Sequence, residues 1–418
     1  MTAKTVHNER QLRKTSANLV RTSADKGRTP ADQMKTSAGK GRASADPGKT
    51  PGGPQMRRRT FVEILCGTAA ALSLDGCLLP PGAPTDRVRA MLEKDIADGL
   101  VRGAVFATAD GIGPEAVGER RPGAPMRTDS LFDIASVTKT FTATAAAILV
   151  ADGKLDPDAP FTTYLPEHVL AREGCAITVR DLAAHVGGFD GGETSKAGIN
   201  TPDFFRQAMG KRPVRPRGER FEYACYDMVL IGLIVERLSG VRLDAFCRDR
   251  VFRPLGLRRT CWGPVEADGN VVQRLGAPAI GAISDWMARG AGAPLGNAGV
   301  FSTADDMALF ARDLLARRAF RPEVYDLLFG VSFAKGGVRR SFGFDMSESL
   351  RPAGLSDRTI YHSGWTGQTI CVDPETGFGG VLLTARTGDH GAARVRRRDA
   401  LAALAKAFSV GKPNKETK

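Results

Sequence analysis

The stretch from Leu131 to Leu149, LFDIASVTKTFTATAAAIL, constrains this chain more than any other. It contains the S-x-x-K sequence Ser136-Val137-Thr138-Lys139, followed by an apolar, alanine-rich run typical of a buried helix. Residues three apart share one helix face, so the Ser136 hydroxyl and the Lys139 amine are predicted to touch. The helix N-terminus favours negative charge at the serine, and burial is expected to lower the pKa of the lysine until it serves as a base.

S-x-x-K alone has little specificity, because it occurs five times in this chain. The other four copies lie in polar or glycine-rich surroundings; they are Ser23/Lys26, Ser37/Lys40, Ser332/Lys335 and Ser409/Lys412. Only the Ser136 copy opens an apolar helix. The structural alternative there is an N-capping serine followed by an ordinary surface lysine.

The positive charge of the chain is concentrated at its N-terminus. The whole chain has a formal charge of +13, but residues 1–60 hold 14 Lys+Arg against 4 Asp+Glu, a net of +10. The remaining residues hold 59−14 = 45 against 46−4 = 42, a net of +3. The folded part therefore gives no electrostatic reason to expect nucleic-acid binding.

Residues 1–55 form a basic heptad repeat. Basic residues recur every seven positions and open blocks such as KTSA and RTPA; they are Lys14, Arg21, Arg28, Lys35, Arg42 and Lys49. Ser, Ala, Gly, Asp and Pro stand where a coiled coil needs apolar residues, so the segment is predicted to be disordered. There are two alternatives for its function: a basic arm that binds nucleic acid or anionic lipid, or a tail without a role.

Residues 56–84 are predicted to be an export signal and linker. MRRRTFVEILCGTAAALSLDGC, from Met56, has a basic start and an apolar segment from Ile64 to Leu74, too short to span a bilayer. Arg58-Arg59 resembles a twin-arginine signal, which predicts export to the periplasm and a true start at Met56. Leu74-Asp75-Gly76-Cys77 resembles a lipobox, so lipid anchoring at Cys77 and cleavage with release are the two alternatives.

The remaining cysteines and the histidines suggest neither a disulfide framework nor a metal centre. The cysteines beyond the signal are odd in number and widely spaced; they are Cys175, Cys225, Cys247, Cys261 and Cys371. Neither C-x-x-C nor H-E-x-x-H spacing occurs. We therefore expect no metal and no cofactor.

Residues 85–410 are predicted to form one α+β domain. Strand patterns cluster at its two ends, at Val101–Ala109 with Glu115–Gly118 and at Ile370–Val372 with Gly380–Thr384. Helical patterns follow Arg87–Leu100, Ile177–Val186, Met228–Leu238, a segment capped by Ser302 or Thr303 and extending through Leu315, and Arg396–Phe408. We expect an antiparallel sheet flanked by helices and built from both ends, a mostly helical insertion over about 150–300, and a polar tail at 411–418.

Several further motifs give the chain a family resemblance. Beyond SVTK, it contains ITVRDLAAHVGGF, PRGERFEYACY, FRPLGL, NAGVFSTADDMALFARDLL and YHSGWTGQTICVDPETG in that order. From about Thr85 to Phe408 it resembles the serine β-lactamase/penicillin-binding superfamily, in the branch of class C β-lactamases, D-alanyl-D-alanine peptidases and esterases. The resemblance implies acyl transfer on an ester, amide or lactam carbonyl of a small molecule or cell-wall peptide.

The resemblance also implies residue roles. Ser136 matches the nucleophile, Lys139 its lysine, and Tyr223 the tyrosine of Tyr-x-Asn, which moves protons between nucleophile and leaving group. His362-Ser363-Gly364 matches the Lys/His-Thr/Ser-Gly of the edge strand. Gly364 should let a substrate backbone lie close, and the N–H of Trp365 should join that of Ser136 as an oxyanion hole.

Two residues depart from that pattern. Cys225 replaces the asparagine that holds the acyl-side amide, and His362 replaces the lysine of class C β-lactamases. Both changes point away from efficient β-lactam hydrolysis. A short-chain carboxylesterase on the same fold and a weakly catalytic cell-wall binding protein are the alternatives. An α/β-hydrolase is not expected, because G-x-S-x-G is absent.

Overall fold

The structure is a computed structural model that describes residues 83–191, 201–274 and 279–410. All of them lie in one compact unit, Asp75–Lys418. The basic tail at 1–55, the signal with Met56 and Cys77, and the polar residues 411–418 lie outside the described residues, so those interpretations stay predictions.

The strands form one large sheet and two small ones. The strands are β1 (Val101–Thr108), β2 (Glu115–Arg121), β3 (Ala124–Pro125), β4 (Phe132–Asp133), β5 (Cys261–Trp262), β6 (Val300–Ser302), β7 (Val331–Lys335), β8 (Val338–Ser341), β9 (Ile360–Ser363), β10 (Gln368–Asp373) and β11 (Phe378–Arg386). The large sheet is antiparallel with the order β3-β2-β1-β11-β10-β9, and its centre is the pairing of β1 with β11. Both ends of the domain therefore build it, which confirms the predicted fold class.

Helices cover both faces of the sheet. They are α1 (Asp86–Ala97), α2 (Thr138–Ala151), α3 (Val179–Ala183), α4 (Thr201–Gly210), α5 (Cys225–Ser239), α6 (Leu243–Cys247), α7 (Arg253–Leu255), α8 (Trp286–Ala291), α9 (Ala304–Ala316), α10 (Pro322–Phe329) and α11 (His390–Val410). Side chains alternate along a strand, so Phe106 packs on the side of α1 and α11, while Val105 packs into the larger core with α2.

The S-x-x-K helix, α2, lies deep in the larger core. Every residue from Thr138 to Ala151 except Val150 is buried. Its threonine hydroxyls are satisfied, since Thr144 Oγ1 donates to the Thr140 carbonyl at 2.8 Å and Thr142 Oγ1 donates to the Gly296 carbonyl at 2.9 Å. Phe141 packs between Phe252 and Phe310, with ring centroids 5.1 and 4.8 Å away. This packing fixes the depth at which Lys139 enters the core.

Several element boundaries differ from the predicted ones. The helix predicted at Ile177–Val186 is only Val179–Ala183, because a capping box between Thr178 and Asp181 starts it late and His185 leaves helical geometry with a φ of 58°. The helix predicted at Met228–Leu238 starts earlier, at Cys225. The β7–β8 hairpin was not predicted, since its strands are half-exposed and lack alternation.

Other predictions of helices were close. Thr303 caps α9, with its Oγ1 accepting from Asp306 N at 3.3 Å. The closing helix is longer than the predicted Arg396–Phe408 and spans His390–Val410. Within the described residues, no helix has the length and apolar character needed to cross a membrane.

Candidate active site

Ser136 lies in a tight turn between β4 and α2. Ala135–Val137 form one turn of 3₁₀ helix, and Ala135 has a φ of 46°, an unusual conformation for a residue with a side chain. The buried carboxylate of Asp133 holds this turn, since its Oδ1 accepts from Ala135 N at 2.8 Å and its Oδ2 accepts from Ser284 N at 2.6 Å. The turn that presents Ser136 is therefore fixed by contacts on both sides.

Lys139 is fully buried and contacts three groups. Its Nζ donates to Ser136 Oγ at 3.1 Å, to the Asn297 carbonyl at 2.8 Å and to Cys225 Sγ at 3.5 Å. The contact with Ser136 is the one that the i, i+3 spacing predicts, and a surface position for Lys139 is ruled out. Asn297 precedes β6, so this strand, α2 and the start of α5 meet at one amine.

The pKa of Lys139 differs from the expectation. Burial acts to lower it, but the neighbouring Cys225 and Tyr223, together with a hydrogen bond to Tyr223, act to raise it, and the net pKa is raised. The expectation that burial would leave an uncharged amine is therefore wrong for the resting site. Lys139 is an ammonium at neutral pH, hydrogen-bonded to Ser136 and a main-chain carbonyl.

Tyr223 covers the amine. The Lys139 Nζ lies 4.9 Å from the centroid of its ring, and 37% of the tyrosine surface is exposed. Burial raises the pKa of Tyr223, while the charge of Lys139 and hydrogen bonding to Lys139 and Ser136 act against burial without reversing it. Tyr223 is therefore a phenol in the resting site, and not the phenolate that a dominant effect of Lys139 would give.

A buried histidine–carboxyl pair supports Tyr223. His185 Nδ1 lies 2.9 Å from Asp227 Oδ2, and the His185 ring lies against that of Tyr223 with centroids 4.7 Å apart. Burial lowers the pKa of His185 well below its usual value and raises that of Asp227 well above. Burial therefore favours the uncharged forms of both partners, and the pair lies against one side of the Tyr223 ring.

His362 lies on the edge strand β9, with its ring facing that of Tyr223. Its ring centroid is 6.5 Å from that of Tyr223, and the residue is only 4% exposed. Burial, followed by the charges of Lys139, Arg340 and Arg394, holds its pKa well below the usual value. His362 is therefore uncharged at neutral pH.

Gly364 is required by the chain's own packing. A Cβ there would stand 2.6 Å from the Ile134 carbonyl oxygen and 2.7 Å from Gln368 Oε1. Thr366 Oγ1 also donates to the Asp133 carbonyl at 3.0 Å, which ties the turn after β9 to the Ser136 segment. A glycine is therefore needed at this position so that the end of β9 can pack against the serine turn. The predicted reason was different, namely the close approach of a substrate backbone.

Ser363 and Trp365 flank that glycine. Ser363 ends β9, is partly exposed and pairs with Thr369 on β10. The Trp365 side chain is 57% exposed and stacks on His390 with centroids 4.3 Å apart. The structure therefore brings Ser136, Lys139, Tyr223 and Cys225 into one cluster, with His362 opposite and Trp365 at the rim.

Four polar residues around this cluster were not predicted from the sequence. Asn297 and Asp227 are polar residues inside otherwise apolar segments, PLGNAGVF and CYDMVLIG, and that contrast is a usable signal. His185 follows a short helix, and Arg340 lies in the hairpin that was not predicted, so neither has a local signal. Among the described residues, no group of three His, Cys, Asp or Glu side chains is placed to hold a metal ion.

Comparison with known proteins places the chain in a family. The family model described as Beta-lactamase matches residues 88–405. The chain belongs to the beta-lactamase family.

The names of proteins similar to this chain indicate different activities. An N-acetylmuramyl-L-alanine amidase of Bacillus subtilis (strain 168) is 27% identical, over 71% of this chain and 80% of the relative. Esterase EstB of Burkholderia gladioli is 27% identical, over 80% of this chain and 99% of the relative. The solved structure of a novel penicillin-binding protein homolog from Caulobacter crescentus has a TM-score of 0.64 at 22% identity, covering 77% of this chain and 97% of that one, and it supports the fold.

Gly364→Ala should destabilise the domain. The new methyl group has main-chain oxygen and Gln368 in its way, so β9 must shift, at a cost of about 1–3 kcal/mol. Urea unfolding measures this cost. Gly113→Ala is the matched control, because Gly113 has open space around it and should change stability by less than about 0.5 kcal/mol. Equal effects of the two changes would contradict the tight approach.

Proposed function

We propose that this chain is a serine hydrolase in which Ser136 attacks a carbonyl carbon and forms an acyl-enzyme. The proposal is carried by the 3.1 Å contact of the buried Lys139 Nζ with Ser136 Oγ. Burying a lysine costs several kcal/mol unless it is paired, and its partners here are a hydroxyl, a thiol and a carbonyl rather than a carboxylate. Such an arrangement is unusual for structure alone and suits a group that exchanges protons.

Proton transfer runs through Lys139 and Tyr223 as a pair. Both hold their protons in the resting site, so the pair must lose one proton before it accepts that of Ser136. The Ser136 oxygen then bonds to the carbonyl carbon. The neighbouring ammonium stabilises the negative charge that the Ser136 oxygen carries after losing its proton, before it bonds to the carbonyl carbon.

Different groups around Ser136 stabilise the oxyanion and protonate the leaving group. The N–H groups of Ser136 and Trp365 donate to the carbonyl oxygen as it becomes negative, and the close packing of Gly364 against Ile134 supports that arrangement. Tyr223 gives its proton to the leaving group as the bond breaks. Water then attacks the acyl-enzyme by the same route in reverse and frees Ser136.

Esters with an uncharged leaving group are the favoured substrates. Cys225 offers a weak thiol where an asparagine would hold an acyl-side amide, and an uncharged His362 provides no fixed cation for a substrate carboxylate. Penicillins and D-alanyl peptides carry both an amide and a carboxylate. We therefore favour carboxylesterase activity over hydrolysis of β-lactams or D-alanyl-D-alanine peptides.

A second candidate is a weakly catalytic cell-wall binding protein. The replacement at Cys225 favours it, and a relative named as an amidase of muramyl-L-alanine connects the family to the cell wall. Both candidate functions are compatible with export by the signal predicted from Met56. Retained peptidoglycan binding without turnover of any ester, β-lactam or D-Ala-D-Ala peptide favours the second one.

Ser136→Ala should abolish covalent labelling by a fluorophosphonate probe and lower ester hydrolysis at least about 1000-fold. Intact mass gives the labelling, and release of nitrophenol from a short-chain nitrophenyl ester gives the rate. Ser332→Ala is the matched control, because Ser332 begins another S-x-x-K on the β7 strand and should leave both unchanged. Labelling that survives Ser136→Ala would refute the nucleophile.

Ester hydrolysis should rise about tenfold per pH unit between pH 6 and 9. The pKa values of Lys139 and Tyr223 are both raised, so the fraction of the pair that lacks one proton grows with pH over that range. The pKa values of His185 and His362 lie well below 6.5, so neither should add an inflection there. The profile of kcat/KM, corrected with Ser136→Ala, measures this. A rate that is flat from pH 7 upward would mean an uncharged Lys139.

Cys225→Asn should raise acylation by nitrocefin about tenfold, the effect of one added hydrogen bond worth about 1.4 kcal/mol. The amide oxygen can accept from Lys139 in place of Sγ, and the amide N–H₂ can then meet the acyl side of the substrate. Stopped-flow kinetics measure the acylation rate. Cys225→Ser, which keeps the size without the amide, is the control and should give no such gain. Equal rates in both variants would contradict this role of position 225.

A further inference from the structure

The main-chain carbonyl that holds Lys139 comes from outside its own helix. Lys139 Nζ donates to the Asn297 carbonyl at 2.8 Å, a shorter contact than those to Ser136 Oγ at 3.1 Å and to Cys225 Sγ at 3.5 Å. A lysine carries its ammonium on a flexible four-carbon stem, so α2 alone does not determine where the charge lies. The position of the Asn297 carbonyl therefore decides how Lys139 meets Ser136.

The Asn297 side chain is fully buried and tied to a carboxylate. Its Nδ2 donates to Asp285 Oδ1 at 3.2 Å, and none of its surface is exposed, at 0%. Its Oδ1 has no hydrogen-bond partner within the described ranges. A buried amide that leaves its oxygen unpaired costs free energy, so an asparagine at this place calls for a reason beyond packing.

Asp285 is anchored independently of Asn297. It caps the short helix α8, with its Oδ1 accepting from Ala288 N at 2.7 Å. Arg289, from the first turn of the same helix, donates from its Nη1 to the Ile283 carbonyl at 2.6 Å. The loop that carries Asp285 is thus fixed by contacts of its own, and the carboxylate is a firm point to which the Asn297 side chain is attached.

The residue before Asp285 holds the turn of the nucleophile. The main-chain N–H of Ser284 donates to Asp133 Oδ2 at 2.6 Å, and the other oxygen of that carboxylate binds the turn that presents Ser136. Two adjacent residues therefore reach both members of the pair, one the serine and the other the lysine. Such a link keeps the serine and the amine at a constant separation, which proton transfer between them requires.

We propose that Asp285 is a positioning residue, which holds the Asn297 side chain and so places the main-chain carbonyl that accepts from Lys139 Nζ. Together with Ser284, it keeps the lysine in register with the Ser136 turn. This inference rests on the proposed hydrolase function for its effect on rate, but not for the position of Lys139. The role involves no contact with substrate, so its loss should lower kcat and leave KM unchanged.

Asn297→Ala removes the attachment to Asp285 but keeps the main-chain carbonyl. At pH 8 it should lower kcat for a short-chain nitrophenyl ester about tenfold, because a small displacement of a catalytic group has a cost of at least that order, and KM should stay within about twofold. Asn270→Ala is the matched control, since Asn270 Nδ2 donates to the Asp129 carbonyl at 2.6 Å and its Oδ1 also has no partner among the described residues. That control should leave kcat unchanged.

Two changes at Asp285 separate its hydrogen bond from its charge. Asp285→Ala breaks the same bond from the other side and should lower kcat as far as Asn297→Ala does. The double variant should be no slower than the slower single one, because both remove one interaction. Asp285→Asn keeps an oxygen for both donors. It should keep at least the kcat of the parent, since loss of a negative charge near Lys139 makes the lysine proton easier to lose.

A crystal structure of Asn297→Ala shows the cause of the loss. Lys139 Nζ should lie more than about 3.5 Å from the carbonyl of position 297, beyond hydrogen-bond distance, where the parent has 2.8 Å. Should Asn297→Ala fail to fold, the rates of Asp285→Ala and Asp285→Asn and the structure of Asp285→Ala decide the question.

Four results would overturn the proposal: a Lys139 that keeps this contact, additive losses in the double variant, an equal loss in Asn270→Ala, or an Asp285→Asn as slow as Asp285→Ala. Ester hydrolysis that survives Ser136→Ala would instead refute the nucleophile. The displacement of Lys139 in the crystal structure would then still stand.

Discussion

The site depends on one buried ammonium. Lys139 enters the core on an otherwise apolar helix, and its charge is met by a serine hydroxyl, a thiol and a main-chain carbonyl. None of these neutralises it, so its charge acts on every titratable group nearby. Its charge opposes the rise in the pKa of Tyr223 that burial causes, without reversing it. It adds to burial in lowering the pKa values of His185 and His362. The protonation state of the cluster is therefore set as a unit.

The fold holds three parts of this cluster in place. The Ser136 turn is clamped by Asp133 and Thr366, the tyrosine by the His185–Asp227 pair, and the edge strand by the absence of a Cβ at Gly364. Since β1 and β11 pair at the centre of the sheet, β9 is the last strand on one side of it. The outer edge of β9 is bonded to the Asp345 main chain at Tyr361, one residue before His362.

Local pattern in the sequence was enough to predict the S-x-x-K helix and the fold class. The alanine-rich run after Ser136 favours a helix, and the i, i+3 contact between Ser136 and Lys139 follows from helical geometry. The sheet could be predicted because strand patterns stand at both ends of the domain. The roles of Tyr223 and His362 came from the family resemblance and not from local pattern, and they remain proposals.

The protonation states could not be predicted in the same way. Burial alone suggested an uncharged Lys139, but the sign is decided by Cys225 and Tyr223, which lie 86 and 84 positions further along the chain. Likewise, His185, Asp227 and Arg340 matter through neighbours that only the folded chain supplies. Long-range electrostatics and the half-exposed β7–β8 hairpin leave no periodic signal in the sequence.

The most direct test of the central claim is a crystal structure of the protein inhibited by an alkyl phosphonate nitrophenyl ester. We expect a covalent bond from Ser136 Oγ to phosphorus, with the phosphoryl oxygen within hydrogen-bond distance of the Ser136 and Trp365 N–H groups. Lys139 Nζ should still contact the serine oxygen and the Asn297 carbonyl. An adduct on another residue, or a Lys139 side chain turned to solvent beside the adduct, would contradict it.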